Sequence, residues 1–154
     1  MPSLDVVHDF LDQDHLAFVG VSREPKAFAN SVYRRLRQDG RVLYPVNRSP
    51  EAATVEGDTA FRALADVPDP VGGVVVMVPR AAQADVVREA LERGIPRVWL
   101  HRGAGQGPVS EEAVALCREA GVAVVDGACP LMFTEPVKGI HRMHRGLIRR
   151  RFAA

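Results

Sequence analysis

The sequence predicts an α/β fold: a doubly wound, mostly parallel five-stranded sheet with helices on both faces. Three observations carry this expectation. Short apolar runs rich in β-branched residues alternate with stretches of helical periodicity along the chain. The helical stretches are long enough to cross over a sheet, so successive strands run parallel. The run GVVVMV at 73–78 is nearly pure β-branched sequence, the mark of a strand covered on both faces.

The elements follow in order. Residues 15–21 (HLAFVGV) read as the first strand, bounded by Asp14 and Ser22. Phe28–Gln38 is a helix with Val32 and Leu36 one turn apart, and Asp39-Gly40 ends it. Residues 41–46 (RVLYPV) form the second strand, with Pro45 near the end where a missing N–H donor is tolerable. Residues 47–58 read as a polar loop and 59–65 as a short strand edge or a helical turn. Val67-Pro68-Asp69-Pro70 punctuates the chain before the third strand, 73–78. Ala82, Val86, Ala90 and Leu91 share one side of a helix over 81–93, stopped by Gly94. Arg97–Leu100 is the fourth strand. Ser110 N-caps a helix over 110–120 with acids in its first turn, Gly121 closes it, and 122–126 is the last strand.

Composition narrows the function classes. At 154 residues the chain has the size of one domain, and 47% apolar with 25% charged residues is the balance of a soluble globular protein. A net charge of +1 gives no global field for nucleic acid or a membrane surface, so neither is an expected partner. No apolar run approaches the ~20 residues of a membrane span. The start, MPSLDVVHDFLDQD, holds four Asp and no apolar core, so it does not read as a secretory signal. Cys117 and Cys129 are too few for a disulfide framework. A cytoplasmic location is the expectation.

In such sheets ligands sit outside the carboxyl ends of the strands, at the switch in strand order. Loops 20–27, 45–49 and 78–82 are expected to meet there, with 100–109 as a fourth candidate. In the first turn, Gly20 lets backbone approach a ligand, Ser22 offers a hydroxyl, and the next helix presents free N–H groups. Arg23 and Lys26 add positive charge suited to a pyrophosphate. The same residues also describe a tight turn with two solvated cations. After the second strand, a nicotinamide or flavin dinucleotide site usually places an acid about 20 residues beyond the glycines. This chain has PVNRS there, with Asn47 and Arg48 and no carboxylate. A cation at that point favours a ribose bearing its own phosphate, as in coenzyme A or NADP; the alternative is an exposed loop cation.

Together, VGVSREP, GRVLYPVNRS, DVPDPVGGVVVMVPR, GIPRVWLHRG and GVAVVDGACP resemble the CoA-binding domain family. These are small stand-alone proteins similar to the nucleotide-binding domain of the succinyl-CoA synthetase α subunit. The likeness spans about residues 14–135. It implies a Rossmann-like domain over 1–136 that binds coenzyme A across its strand ends, with 137–154 as a basic tail. By this resemblance Gly20, Val21, Ser22, Arg23 and Lys26 form the phosphate loop, and Pro45, Asn47 and Arg48 lie by the ribose. Val78 and Pro79 border the adenine and pantetheine arm, and Leu100 and His101 face the ligand. Two departures stand out: Gly72-Gly73 where many relatives have Asp, and a longer, Gly-rich loop 102–108.

The expected function is binding of coenzyme A or an acyl-CoA without catalysis, as a carrier, sensor or partner subunit. The runner-up is an NADP-dependent oxidoreductase or redox sensor on the same fold. Succinyl-CoA synthetase-type chemistry needs a phosphorylatable His from a further domain. His101 could act as a general base, but a single loop His reads first as a hydrogen-bonding or exposed residue. Cys129 could exchange with the coenzyme thiol, or be packing, as Cys117 is. His141, His144 and Cys129 lack a fourth ligand for zinc, so no metal site is expected. The tail from Lys138 carries six Lys and Arg and no acid, with Ile140, Met143 and Leu147 at helical spacing. It reads as a solvated end, or as a surface for RNA, an acidic partner or a second copy in a homodimer.

Overall fold

The computed structural model describes residues 3–49, 51–102 and 108–134. The proposed tail over 137–154, with His141 and His144, and the loop residues 103–107 lie outside the described residues.

Five parallel strands form the sheet: β1 (His15–Val19), β2 (Val42–Val46), β5 (Gly73–Val76), β6 (Arg97–Leu100) and β7 (Ala123–Asp126). Their order is β2-β1-β5-β6-β7. The helices are α1 (Leu4–Leu11), α2 (Phe28–Gln38), α3 (Arg80–Glu92) and α4 (Glu111–Glu119). After β2 the chain returns past β1 to start β5, so the direction of strand addition reverses between β1 and β5. Crossovers of constant hand on either side of that reversal place their helices on opposite faces.

Side-chain alternation separates the two cores. Ala17 and Val19 of β1, with Val74, Val76, Val98 and Leu100, pack against Val87 and Ala90 of α3 and Ala113 and Cys117 of α4. Leu16 and Phe18, with Val75, Trp99 and Val125, face Val7 and Phe10 of α1 and Val32, Tyr33 and Leu36 of α2. All four residues of β5 are buried, as a central strand covered on both faces must be.

The structure differs from the sequence reading at several ends. The strands stop two residues early at Val19 and Val76, because Gly20 turns at φ +114° and 77–79 form the wall of a turn. The polar loop contains a hairpin, β3 (Thr54–Val55) and β4 (Asp58–Thr59), joined through Glu56 and Gly57 at positive φ. The hairpin is short and polar, so it shows no period-two apolar signal. A 3-10 turn at Leu64–Asp66 follows, and Phe61 bridges to Val46 on the outer edge of β2.

No element is expected before residue 15, yet α1 is there. Ser3 accepts a hydrogen bond from the Val6 N–H at 3.4 Å, Asp5 sits in the first turn, and Val7, Phe10 and Leu11 are buried. Phe10 meets Trp99 edge-on at 5.2 Å between centroids. This packing accounts for Gly73: a Cβ there would lie 2.8 Å from Phe10 Cε2. At the far end, buried Arg41 donates from Nε (3.0 Å) and Nη2 (2.7 Å) to the Leu11 carbonyl, tying α1 to the start of β2.

Arg41→Met retains the apolar stem and removes both donors to that carbonyl. It should lower stability by about 1–3 kcal/mol, read from the urea midpoint at an unchanged m-value. An unaltered midpoint would show that the Leu11 carbonyl is served elsewhere.

Candidate functional site

The site is built around the end of β1. The Gly20 N–H donates to the Val46 carbonyl at 3.3 Å, and the Met77 N–H donates to the Val19 carbonyl at 2.8 Å. A Cβ on Gly20 would stand 2.1 Å from the Met77 carbonyl oxygen. Only glycine fits both this approach and the positive φ. Asn47 then crosses the opening, its Nδ2 donating to the Val21 carbonyl at 2.8 Å. The ends of β2, β1 and β5 are thus drawn together over the reversal in strand order.

Between them lies a cleft of about 400 Å³. Seven of the sequence-predicted residues line it: Gly20, Val21, Ser22, Asn47, Arg48, Val78 and Pro79. Five do not. Pro45 is buried within β2, its carbonyl accepting from the Phe61 N–H at 2.9 Å. Arg23 and Lys26 project as exposed residues further along the first loop, outside the lining. Leu100 and His101 border a separate cavity of about 220 Å³ with Arg102, Cys129 and Met132.

The first loop is held from beneath by Asn30, a residue of α2 that is 1% exposed. Its Oδ1 accepts from the Ser22 N–H at 2.8 Å, and its Nδ2 donates to the Ser22 carbonyl at 2.7 Å and to Glu56 Oε1 at 2.9 Å. Ser22 Oγ in turn accepts from the Glu24 N–H at 3.0 Å. The Ser22 and Glu24 amides are therefore already engaged. Ala27 at the N-cap of α2 makes no side-chain cap bond and no acid occupies the first turn. The same holds for α3, whose N-cap is Pro79 on the cleft wall. Uncapped N-termini of this kind favour anions.

The hairpin braces Asn30. Glu56 also accepts from Arg34 at 2.8 Å, Arg37 bonds the Glu56 carbonyl and Asp58, and Tyr33 donates to Asp58 Oδ2 at 2.5 Å. Burial first, then the Asp58 hydrogen bond, hold the Tyr33 phenol far above its usual range, so it remains a donor.

Each cation nearest the cleft meets an acid. Arg23 pairs with Glu51 at 3.1 Å, with both side chains more than half exposed. Arg48 pairs with Glu89 of α3, whose side chain is one-third exposed. One turn earlier on α3, Asp85 lines the cleft itself and pairs with Arg88 at 2.9 Å. Lys26 makes no ion pair among the described residues.

Gln83, wholly buried on α3, joins cleft and cavity. Its Nε2 donates to the Val78 carbonyl (3.3 Å) and the His101 carbonyl (3.1 Å), and its Oε1 accepts from the Ser110 N–H (2.8 Å). His101 is 9% exposed and faces the Phe28 ring at 5.7 Å between centroids. Burial, and secondarily Arg102, lowers its pKa, so the ring is neutral near pH 7. Cys117 is buried in α4, and burial pushes its thiol up to about 11, which removes it as a nucleophile. Cys129 lines the cavity, half-buried and unbonded to sulfur.

Asn30, Gln83 and Glu89 escaped the sequence reading. The available signal was a polar residue on an otherwise apolar helix face: Asn30 one turn before Tyr33, and Gln83 one turn before Val86 and Val87.

Among the described residues no cluster of three His, Cys, Asp or Glu could hold a metal ion, and no helix is long and apolar enough to cross a membrane. The family model described as a CoA binding domain matches residues 14–135. The α subunit of an ADP-forming acetate–CoA ligase (II) from Pyrococcus furiosus is 26% identical over 128 residues, 78% of this chain and 27% of that protein. The chain thus spans about a quarter of that subunit. An uncharacterized protein of Bacillus subtilis, YneT, is 29% identical, covering 83% of this chain and 91% of its own length. A solved hypothetical protein from Pyrococcus horikoshii superposes with a TM-score of 0.75 at 26% identity, over 86% of this chain and 92% of that one.

Two outcomes follow from the clasp and the neutral ring. Asn30→Ala strands the Ser22 N–H and carbonyl beneath the loop and should cost about 1–3 kcal/mol in urea unfolding; a wild-type midpoint would refute the clasp. For His101 the folded pKa lies below the unfolded value of about 6.5, so the unfolded chain takes up the proton first as pH falls. Its contribution is complete above that unfolded value and is lost as pH drops through the lowered folded one. Stability measured from pH 8 to 5 should decline on the acid side, and His101→Phe should flatten that decline.

Proposed function

The chain belongs to the CoA-binding domain family, and from that premise we propose that it binds coenzyme A, free or acylated, at the carboxyl ends of β1, β2 and β5, without a reaction of its own. The observation that carries this reading is the cleft at the reversal between β1 and β5. It has backbone at Gly20 on its floor, the uncapped N-terminus of α3 on one wall, and Asn47-Arg48 on the other. The end of β2 brings the Arg48 guanidinium to this wall, where a dinucleotide site for an unphosphorylated ribose would place a carboxylate. Guanidinium and phosphate form charge-assisted, often bidentate hydrogen bonds. A 3′-phosphorylated ribose beside Arg48 and a pyrophosphate toward the helix N-termini together account for the cations and donors around the opening.

On this reading Arg23 and Lys26 approach the phosphates from the rim, and the cavity beside His101 lies beyond the reactive end of the ligand. His101 acts there as a packed, neutral ring against Phe28 rather than as a base. An NADP-binding oxidoreductase would use the same guanidinium for a 2′-phosphate and is the competing outcome.

Titration calorimetry with coenzyme A, dephospho-CoA and NADP decides between them. Coenzyme A should bind and dephospho-CoA should bind about fivefold or more weakly, the scale of one partly exposed charge-assisted contact. Equal binding of dephospho-CoA would overturn the role of Arg48. Binding of NADP with no response to coenzyme A would replace the reading altogether.

A further inference from the structure

We infer that Glu89 is an internal competitor for the phosphate site: it holds Arg48 until a terminal phosphomonoester displaces it, and so weakens the binding of that group. The inference rests on the coenzyme A reading and adds a residue to it. Arg48 is the cation on the cleft wall, and the Glu89 carboxylate is bonded to its Nη2. Both belong to elements that the fold brings face to face: Arg48 follows β2, and Glu89 lies on α3, one turn beyond the cleft residue Asp85. A ligand phosphate that reaches Arg48 must therefore exchange with a carboxylate already there.

The exchange discriminates by charge. A phosphomonoester carries about −1.5 to −2 near neutral pH and offers three acceptor oxygens, whereas a carboxylate carries −1 and two. A phosphodiester or pyrophosphate link offers one charge per phosphorus, no more than Glu89 itself. Only the doubly charged end group gains by displacing Glu89. Because Arg48 is more than half exposed, the ion pair is loose enough to be exchanged. The Arg23–Glu51 pair has the same form, but neither of its members lines the cleft, so it governs approach rather than selection.

The test is Glu89→Gln, a neutral isostere on a partly exposed helix surface. Coenzyme A and dephospho-CoA are titrated calorimetrically into the wild type, Glu89→Gln, Arg48→Met and the double variant, with adenosine 3′-phosphate and adenosine as a short probe pair. Glu89→Gln should tighten coenzyme A by about two- to fivefold, the range set by a surface ion pair. It should also tighten adenosine 3′-phosphate and leave dephospho-CoA and adenosine within twofold. The gain should vanish in the Arg48→Met background. Equal tightening of phosphorylated and dephosphorylated ligands would reduce Glu89 to a general field effect, and a gain that survives Arg48→Met would place the competition elsewhere; either result overturns the inference. Wild-type protein that ignores coenzyme A while Glu89→Gln still tightens adenosine 3′-phosphate would overturn the functional reading alone. If none of the ligands binds any variant, both fall.

Discussion

The structure depends on one close approach: the Gly20 backbone lies against the Met77 carbonyl, with no space for a Cβ between them. This contact sits at the reversal in strand order, where β1 and β5 separate the two halves of the sheet. A doubly wound sheet always leaves a gap there, because the chains leaving adjacent strands turn toward opposite faces. Here the gap is narrowed by the Met77 amide, which donates to Val19 and carries the β1–β5 pairing past the end of β5, while the Gly20 amide extends β1 onto Val46 of β2. The cleft floor is therefore made of backbone, and its position is as rigid as the sheet. What varies above it is side-chain chemistry from three loops.

The first, third and fourth loops are fixed by polar groups drawn from the helices, and the second by its own Asn47. Asn30 holds the first loop from α2, and Gln83 holds the third and fourth from α3. Each is an uncharged amide in an apolar layer, with its hydrogen-bonding capacity met by backbone and a few side-chain partners, which is the condition for burying it at low cost. Charge is kept to the rim, where Arg23, Arg48, Glu51 and Glu89 remain at least partly exposed. The division leaves the interior rigid and the ion pairs exchangeable.

The sheet, its parallel sense and its two helical layers were legible in the sequence, because period-two and 3.6-residue patterns report burial directly. The first strand was read two residues too long for a plain reason: Gly20 and Val21 continue the apolar run, and only the positive φ of Gly20 distinguishes a turn from a strand. The hairpin at 54–59 was not legible, since its stability comes from Glu56 and Asp58 bonding to α2 and not from its own pattern. Of the site, Gly20, Ser22, Asn47 and Arg48 were readable as turn and charge chemistry, and they do converge. The reading could not foresee that Arg48 faces Glu89, because that pairing crosses 41 residues and exists only once β2 and α3 are packed. Nor could it separate His101 from the cleft, since both lie at strand ends and only the three-dimensional wall between them tells them apart.

Gln83 has a consequence for how this scaffold can diverge. Its two donors and one acceptor reach three backbone groups that belong to three different segments. Glutamate, the nearest isostere, would keep the acceptor but replace the amide nitrogen and its two N–H donors by one oxygen aimed at two carbonyls. Leucine would keep the volume and abandon all three partners. A change at the rim, at Arg48 or Glu89, alters charge at partly exposed positions, whereas a change at position 83 leaves buried backbone groups without partners. Ligand preference is thus separable from the frame: the rim sets it, while the interior amides of Asn30 and Gln83 hold the loops in place.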